Sequence, residues 1–246
     1  MKVFTSVILS MILAVTATLT HADNHAAASK PVGMVYGLDV ADPAAFATAM
    51  SKYWGSETGE KIPGVAILRQ VVAAGESSIS HTVAVVHPSY DAMDASFAMN
   101  AMSEDWATFL GEVDGVAEVV SSSMFESTGL GSVENKFGAS PGLATLYVFI
   151  SVSDPSKYAT AFQEMMSSTD IGETDTTLFS IPAGGIDETT HVVAVTGKSV
   201  GAVISQMTLN RANPNFQKFI SQVSNIRAIE QNIVTVDLAV FGNVDS

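Results

Sequence analysis

Apolar and polar positions alternate from Met34 to Val40, placing Met34, Tyr36, Leu38 and Val40 on one face and Val35, Gly37 and Asp39 on the other, the period of a strand. At Asp42 the period changes. Phe46, Ala49, Met50 and Tyr53 recur at helical spacing behind an Asp-Pro pair. Asp42 can accept first-turn N–H groups, and Pro43 at the first helical position gives up a donor that has no intrahelical partner. The helix should stop near Gly55. Two β-rich runs follow, Gly64 to Ala73 and Ser80 to Val86, joined as a hairpin through Ala74-Gly75-Glu76-Ser77. A helical stretch from about Tyr90 to Val113, broken or bent around Asn100 to Glu104, and a strand from Val116 to Phe125 complete a β-α-β-β-α-β order, the split ferredoxin-like unit.

This order is written twice. MVYGLDVADPAAFATAMSKY (Met34 to Tyr53) is answered 112 positions later by LYVFISVSDPSKYATAFQEM (Leu146 to Met165). Further on, Asn100, Trp106, Phe109 and Val113 fall on Asn210, Phe216, Phe219 and Val223 at a constant offset of 110. The second copy is expected to run through strands at Thr145–Val152, Thr176–Pro182, His191–Thr196 and Ile226–Phe241, with helices at Asp154–Ser167 and Ser199–Val223. The expected organisation is a signal peptide at 1–22, a loose tail at 23–31, one repeat at 32–128, a glycine-rich linker at 129–143 and a second repeat at 144–246.

A ferredoxin-like sheet carries helices on one face only, so an apolar second face needs another partner. Tyr147 and Phe149 lie on the second face of their strand, and the third strand is apolar on both sides, with His81, Val83 and Val85 on one and Thr82, Ala84 and Val86 on the other. The two halves are therefore expected to shelter each other's sheets. Element order and the repeated Asp-Pro-x-x-Phe/Tyr-Ala-Thr-Ala signature resemble the dimeric α/β-barrel superfamily, with the pair fused in one chain and the likeness running from Val32 to Gly242. The resemblance implies an α+β fold in which tandem ferredoxin-like βαββαβ repeats pack sheet to sheet as an intramolecular α/β barrel. That superfamily includes cofactor-independent monooxygenases, haem enzymes and lyases, so it implies no single reaction.

Composition narrows the setting. Lys2, an apolar run from about Val7 to Leu19 and Thr20-His21-Ala22 read as a cleaved secretory signal, which predicts a soluble periplasmic or extracellular protein with no membrane attachment afterwards. Without Lys2 the balance is 10 basic to 25 acidic residues, a net charge of −15 that disfavours nucleic acid and anionic lipid as partners. The chain has no cysteine, which excludes disulfides and thiolate zinc sites.

Candidate chemistry is sparse. His81 and His191 hold equivalent places at the start of the third strand of each copy, either lining the barrel as bases or ligands or capping the hairpins. Asp39 interrupts an apolar strand on the barrel-facing side, with Arg69 as a possible counter-charge, His87 as a possible neighbour and Tyr147 as a hydrogen-bond donor to the same space. Trp106, Phe109, Phe216 and Phe219 read as core. Met93, Phe97, Met99 and Met102 read as packing or an adaptable apolar pocket. Cleavage after Ala22 would leave Asp23-Asn24-His25 at the amino terminus, where an amine, two amides and an imidazole can hold Cu(II) or Ni(II) in a square plane. Phosphate loops, serine elbows and His-Glu-x-x-His are missing. The expected function is binding of a small apolar or aromatic molecule between the sheets; the alternative is a cofactor-independent monooxygenase or lyase with a histidine base, and a third reading is an assembly module without a site.

Overall fold

The Asp-Pro signature does in space what its chemistry allows. In the computed structural model, which describes residues 30–132, 137–185 and 187–242, strand β1 (Val32–Val40) leads into helix α1 (Pro43–Trp54), whose first-turn N–H groups at Ala44 and Ala45 donate to Asp42 Oδ1. Then come β2 (Val65–Ala73), β3 (His81–His87), α2 (Tyr90–Ala101), α3 (Glu104–Val113) and β4 (Ala117–Gly131). The second half repeats the order as β5 (Ala144–Val152), α4 (Pro155–Ser168), β6 (Thr174–Gly184), β7 (His191–Gly197), α5 (Val200–Ala212), α6 (Pro214–Val223) and β8 (Arg227–Gly242). Each expected second helix is thus a pair of helices. The break has a cause: Ser103 Oγ accepts the Trp106 N–H and Asn213 Oδ1 accepts the Asn215 N–H, so each new helix starts on its own cap.

All strand pairs are antiparallel, and the eight strands close into one barrel in the order β1-β3-β2-β8-β5-β7-β6-β4. The halves meet through their sheets, as expected, but edge to edge rather than as two stacked layers. β2 pairs with β8 and β4 with β6, and these two seams leave no edge strand unpaired. β4 continues through Leu130 and Gly131, which pair with Leu178 and Thr177, so the start of the expected linker is strand. Equivalent strands stand four places apart in a ring of eight, related by a pseudo-two-fold axis along the barrel.

Period-two alternation then fixes which side chains meet the helices. In the first half Leu38, Val40, Ala66, Leu68 and Val83 pack against Phe46, Met50, Tyr53 and Phe109. In the second, Ile150, Val152 and Leu178 pack against Tyr158, Phe162, Phe219 and Val223. The other face of every strand lines the barrel interior. No helix among the described residues is long and apolar enough to cross a membrane.

Candidate functional site

The histidines face outward. His81 pairs with Leu38 and shares a face with Val83, both in the helix-side core, while the His191 ring lies 6.4 Å from that of Tyr158 on α4. Their strands β3 and β7 are on opposite sides of the barrel, so the two imidazoles neither line its interior nor share a ligand. Each has a local partner instead. Ser80 Oγ lies 3.0 Å from His81 Nδ1 and accepts the Val40 N–H at 2.9 Å; Thr190 Oγ1 lies 2.9 Å from His191 Nδ1 and accepts the Val152 N–H at 2.9 Å. Each imidazole therefore stands at the start of its strand beside a hydroxyl that accepts from the neighbouring strand's backbone. Burial lowers the pKa of both. His87 is also on the helix side, its Nδ1 3.0 Å from the Pro63 carbonyl oxygen and 3.4 Å from Ser96 Oγ, and it does not approach Asp39.

Asp39 sits on the inner face but at the strand end, exposed, opposite Glu118. Arg69 is not its partner. Met93 is buried, whereas Phe97 and Met102 are exposed, so the Met-rich stretch encloses no pocket. Asp23, Asn24 and His25 lie outside the described residues.

What the barrel does bring together is Arg69, Tyr147 and a residue the sequence reading missed, Asp237. Arg69 on β2 and Asp237 on β8 are register partners across one seam, with Arg69 Nε donating to Asp237 Oδ1 at 2.8 Å. The guanidinium carbon stands 5.7 Å from the centre of the Tyr147 ring on β5. Burial raises the Asp237 pKa, with Arg69 pulling the other way, and burial raises that of the Tyr147 phenol. Two buried hydroxyls nearby lack a hydrogen-bond partner: Thr82, the register partner of Arg69 on β3, and Thr235, two residues before Asp237. A separation of 168 residues hid the ion pair from any local pattern.

The interior is filled unequally. The register that sets Leu38 against His81 and Ile150 against His191 makes Val35 equivalent to Tyr147 and Gly37 to Phe149, so bulky side chains on β5 face small ones across the barrel. The seams differ in the same way: Phe179 takes the place of Arg69, and packs edge-on against Phe125 at 5.5 Å between ring centres. One seam is charged and the other aromatic. The loop between β2 and β3 covers one end of the interior, with Ile79 buried so close to Gly37 that a Cβ there would stand 2.7 Å from its Cδ1.

Outside the barrel, an open groove of 680 Å³ runs between α4 and α6, lined by polar residues including Lys157, Glu164 and Gln222. A second polar grouping lies beneath α4: Arg227, whose guanidinium is 6.0 Å from the Phe219 ring, stands near the Tyr158 hydroxyl, where burial raises the phenol pKa and the guanidinium pulls it down. No group of three or more His, Asp or Glu suited to a metal occurs among the described residues.

Solved structures share this architecture. One named as a candidate monooxygenase, from Fusobacterium nucleatum subsp. nucleatum, superposes with a TM-score of 0.60 at 13% identity, covering 87% of this chain and 94% of its own. Another so named, from Lactobacillus acidophilus, gives 0.55 at 12% over 86% and 96%, and an anthrone oxidase-like protein gives 0.57 at 11% over 86% and 92%. What they share with this chain is the fold, an α/β barrel built from ferredoxin-like element order. At such identities the barrel is what is shared, and the site residues are this chain's own. No protein-family model and no curated protein matches the sequence.

Proposed function

We propose that this is an exported protein, two copies of one unit fused, that binds a small, largely apolar or aromatic molecule inside the barrel beside Tyr147, Phe149 and Arg69. The observation that carries this reading is that Tyr147 and Phe149, two large aromatic residues of intermediate exposure, stand on the inner face of a closed barrel beside the buried Arg69–Asp237 pair. Eight-stranded barrels are of a size either to fill with side chains or to hold one small ligand. The structural neighbours' names, monooxygenase and anthrone oxidase-like, accord with small organic molecules. The export signal at 1–22 supports a periplasmic or extracellular setting, and sequencing the amino terminus of protein from its source tests that part. A start at Asp23 would also make the Asp23-Asn24-His25 copper or nickel site available.

The binding test is an NMR shift titration with single-ring aromatic compounds. Shifts should cluster on β2, β5 and β8, and Tyr147→Ala or Phe149→Ala should weaken binding. A panel that moves no interior resonance would remove the reading.

A cofactor-independent oxygenase or lyase is the second reading. It is favoured by the His191, Tyr158 and Arg227 grouping, which the first half replaces with His81, Phe46 and Ala117. It ranks second because Tyr158 is sealed beneath its helix. Turnover that survives His191→Gln would dismiss it.

A further inference from the structure

Equivalent helices of the two halves carry opposite charge. The pair α2 and α3 holds the carboxylates Asp91, Asp94, Glu104, Asp105 and Glu112 and no lysine or arginine. The matching pair α5 and α6 holds Arg211 and Lys218 and no carboxylate. The carboxylate-free stretch extends beyond these helices, from Thr189 to Ile229, in a chain with 25 acidic residues. Lys218 is engaged by Glu164, but Arg211 is exposed and in no ion pair among the described residues, and the same holds for Asp91 and Asp94.

Both outer faces are also apolar. Phe97 and Met102 on α2, and Ile204 and Leu209 on α5, are exposed, Met102 by 88% and Leu209 by 64%. Exposed Ala95, Ala98 and Ala101 accompany the first pair, and exposed Ser205 and Thr208 the second. A helix that stays apolar on the side away from its sheet is the usual mark of a surface that another molecule covers.

Position and charge decide which molecule. α2 lies over β1 and β3 and α5 over β5 and β7, so the two faces stand on opposite sides of the barrel. They cannot meet within one molecule, yet each complements the other on a second copy. Packed antiparallel, α2 of one copy on α5 of the next sets Asp91 and Asp94, at the start of α2, against Arg211 at the end of α5. Like faces do not fit in this way: α2 on α2 brings carboxylates together, in a protein whose net charge already repels its own copies.

We propose that the protein associates head to tail with further copies of itself, α2 of one copy seated on α5 of the next. The contact uses a different surface on each copy. Because the two surfaces face opposite ways, the association stays open at both ends and continues as a linear chain rather than closing as a dimer.

Sedimentation velocity on the full chain, over a concentration series at low and high salt, tests it. Wild type should pass from monomer to species larger than a dimer as concentration rises, and should dissociate as salt screens the charges. Asp91→Lys/Asp94→Lys makes both faces basic and Arg211→Glu makes both acidic, so each variant alone should associate about a hundredfold more weakly than wild type. Mixed one to one, the two variants are complementary at both contacts and should regain the wild-type series. Asp91→Asn/Asp94→Asn and Arg211→Gln, each expected to weaken association about tenfold, carry the test should a charge reversal fail to fold. A wild type that is monomeric at every concentration, assembly that stops at a dimer, a variant that associates as wild type does, or a mixture of folded variants that regains nothing overturns the proposal.

Discussion

Arg69 and Asp237 meet across the β2–β8 seam, Nε to Oδ1 at 2.8 Å, and of the five ion pairs among the described residues theirs is the one that is buried. The four others lie on the surface, where such pairs contribute little. In the seam, removing one partner strands the other away from water. Asp237→Ala should therefore destabilise the protein by about 3–5 kcal/mol, whereas Arg69→Met/Asp237→Leu should be close to neutral. Urea unfolding of the two variants measures the contrast, and equal losses would mean the pair is more hydrated than its burial indicates.

The three histidines of the β-strands give the fold a defined acid response. Burial lowers the pKa of His81, His87 and His191 from 6.5, so the unfolded chain takes up these protons first. Their contribution to stability is complete above 6.5 and lost as pH falls through the lower folded values. Urea midpoints should decline from about pH 7.5 to about pH 5.5, and His87→Gln should flatten that decline. An unchanged slope in the variant would reassign the effect to other groups.

Gly33 tests how closely β1 is packed. A Cβ there would stand 2.1 Å from the Val85 carbonyl oxygen and 2.7 Å from the Phe125 ring. The oxygen belongs to backbone that is held in the barrel ladder, so Gly33→Ala should cost about 1–3 kcal/mol or more by thermal unfolding. Gly111→Ala, with nothing within 4 Å, is the control and should be neutral or stabilising.

The hydroxyls beside His81 and His191 predict a result that separates structure from chemistry. Ser80→Ala removes the acceptor of the Val40 N–H and the hydroxyl beside His81, and Thr190→Val does the same for Val152 and His191. Each should lower stability by about 1–3 kcal/mol and leave interior ligand affinity unchanged, because each hydroxyl is engaged by a backbone N–H and a neighbouring imidazole. A large fall in affinity would show that the hairpin ends control access to the interior.

Much of this was legible in the residues because it is local. The Asp-Pro caps, the alternation of Met34 to Val40 and the recurrence of the whole order are written at short range, and burying the second sheet face argues for closure without coordinates. Asp237 was not legible, since β8 reads as a generic strand and its partner lies on β2 in the other half. The place of the histidines was left open for a related reason. Alternation assigns them the face of Val83 and Val193, but which face meets helices was settled by packing, not by period. The break near Asn100 was visible, while the serine that turns it into a second helix start stands three residues beyond it.

A pair of identical subunits must repeat every interior residue at both seams, so a guanidinium on one side would be matched by another on the opposite side. Two halves of one chain that differ in sequence are under no such obligation. Here the freedom has been used: one seam keeps a salt bridge and the other an aromatic pair, and β5 can be bulky because β1 is slender. An interior that differs from side to side can dictate the orientation of an unsymmetrical guest, something a true homodimer of this shape could not do.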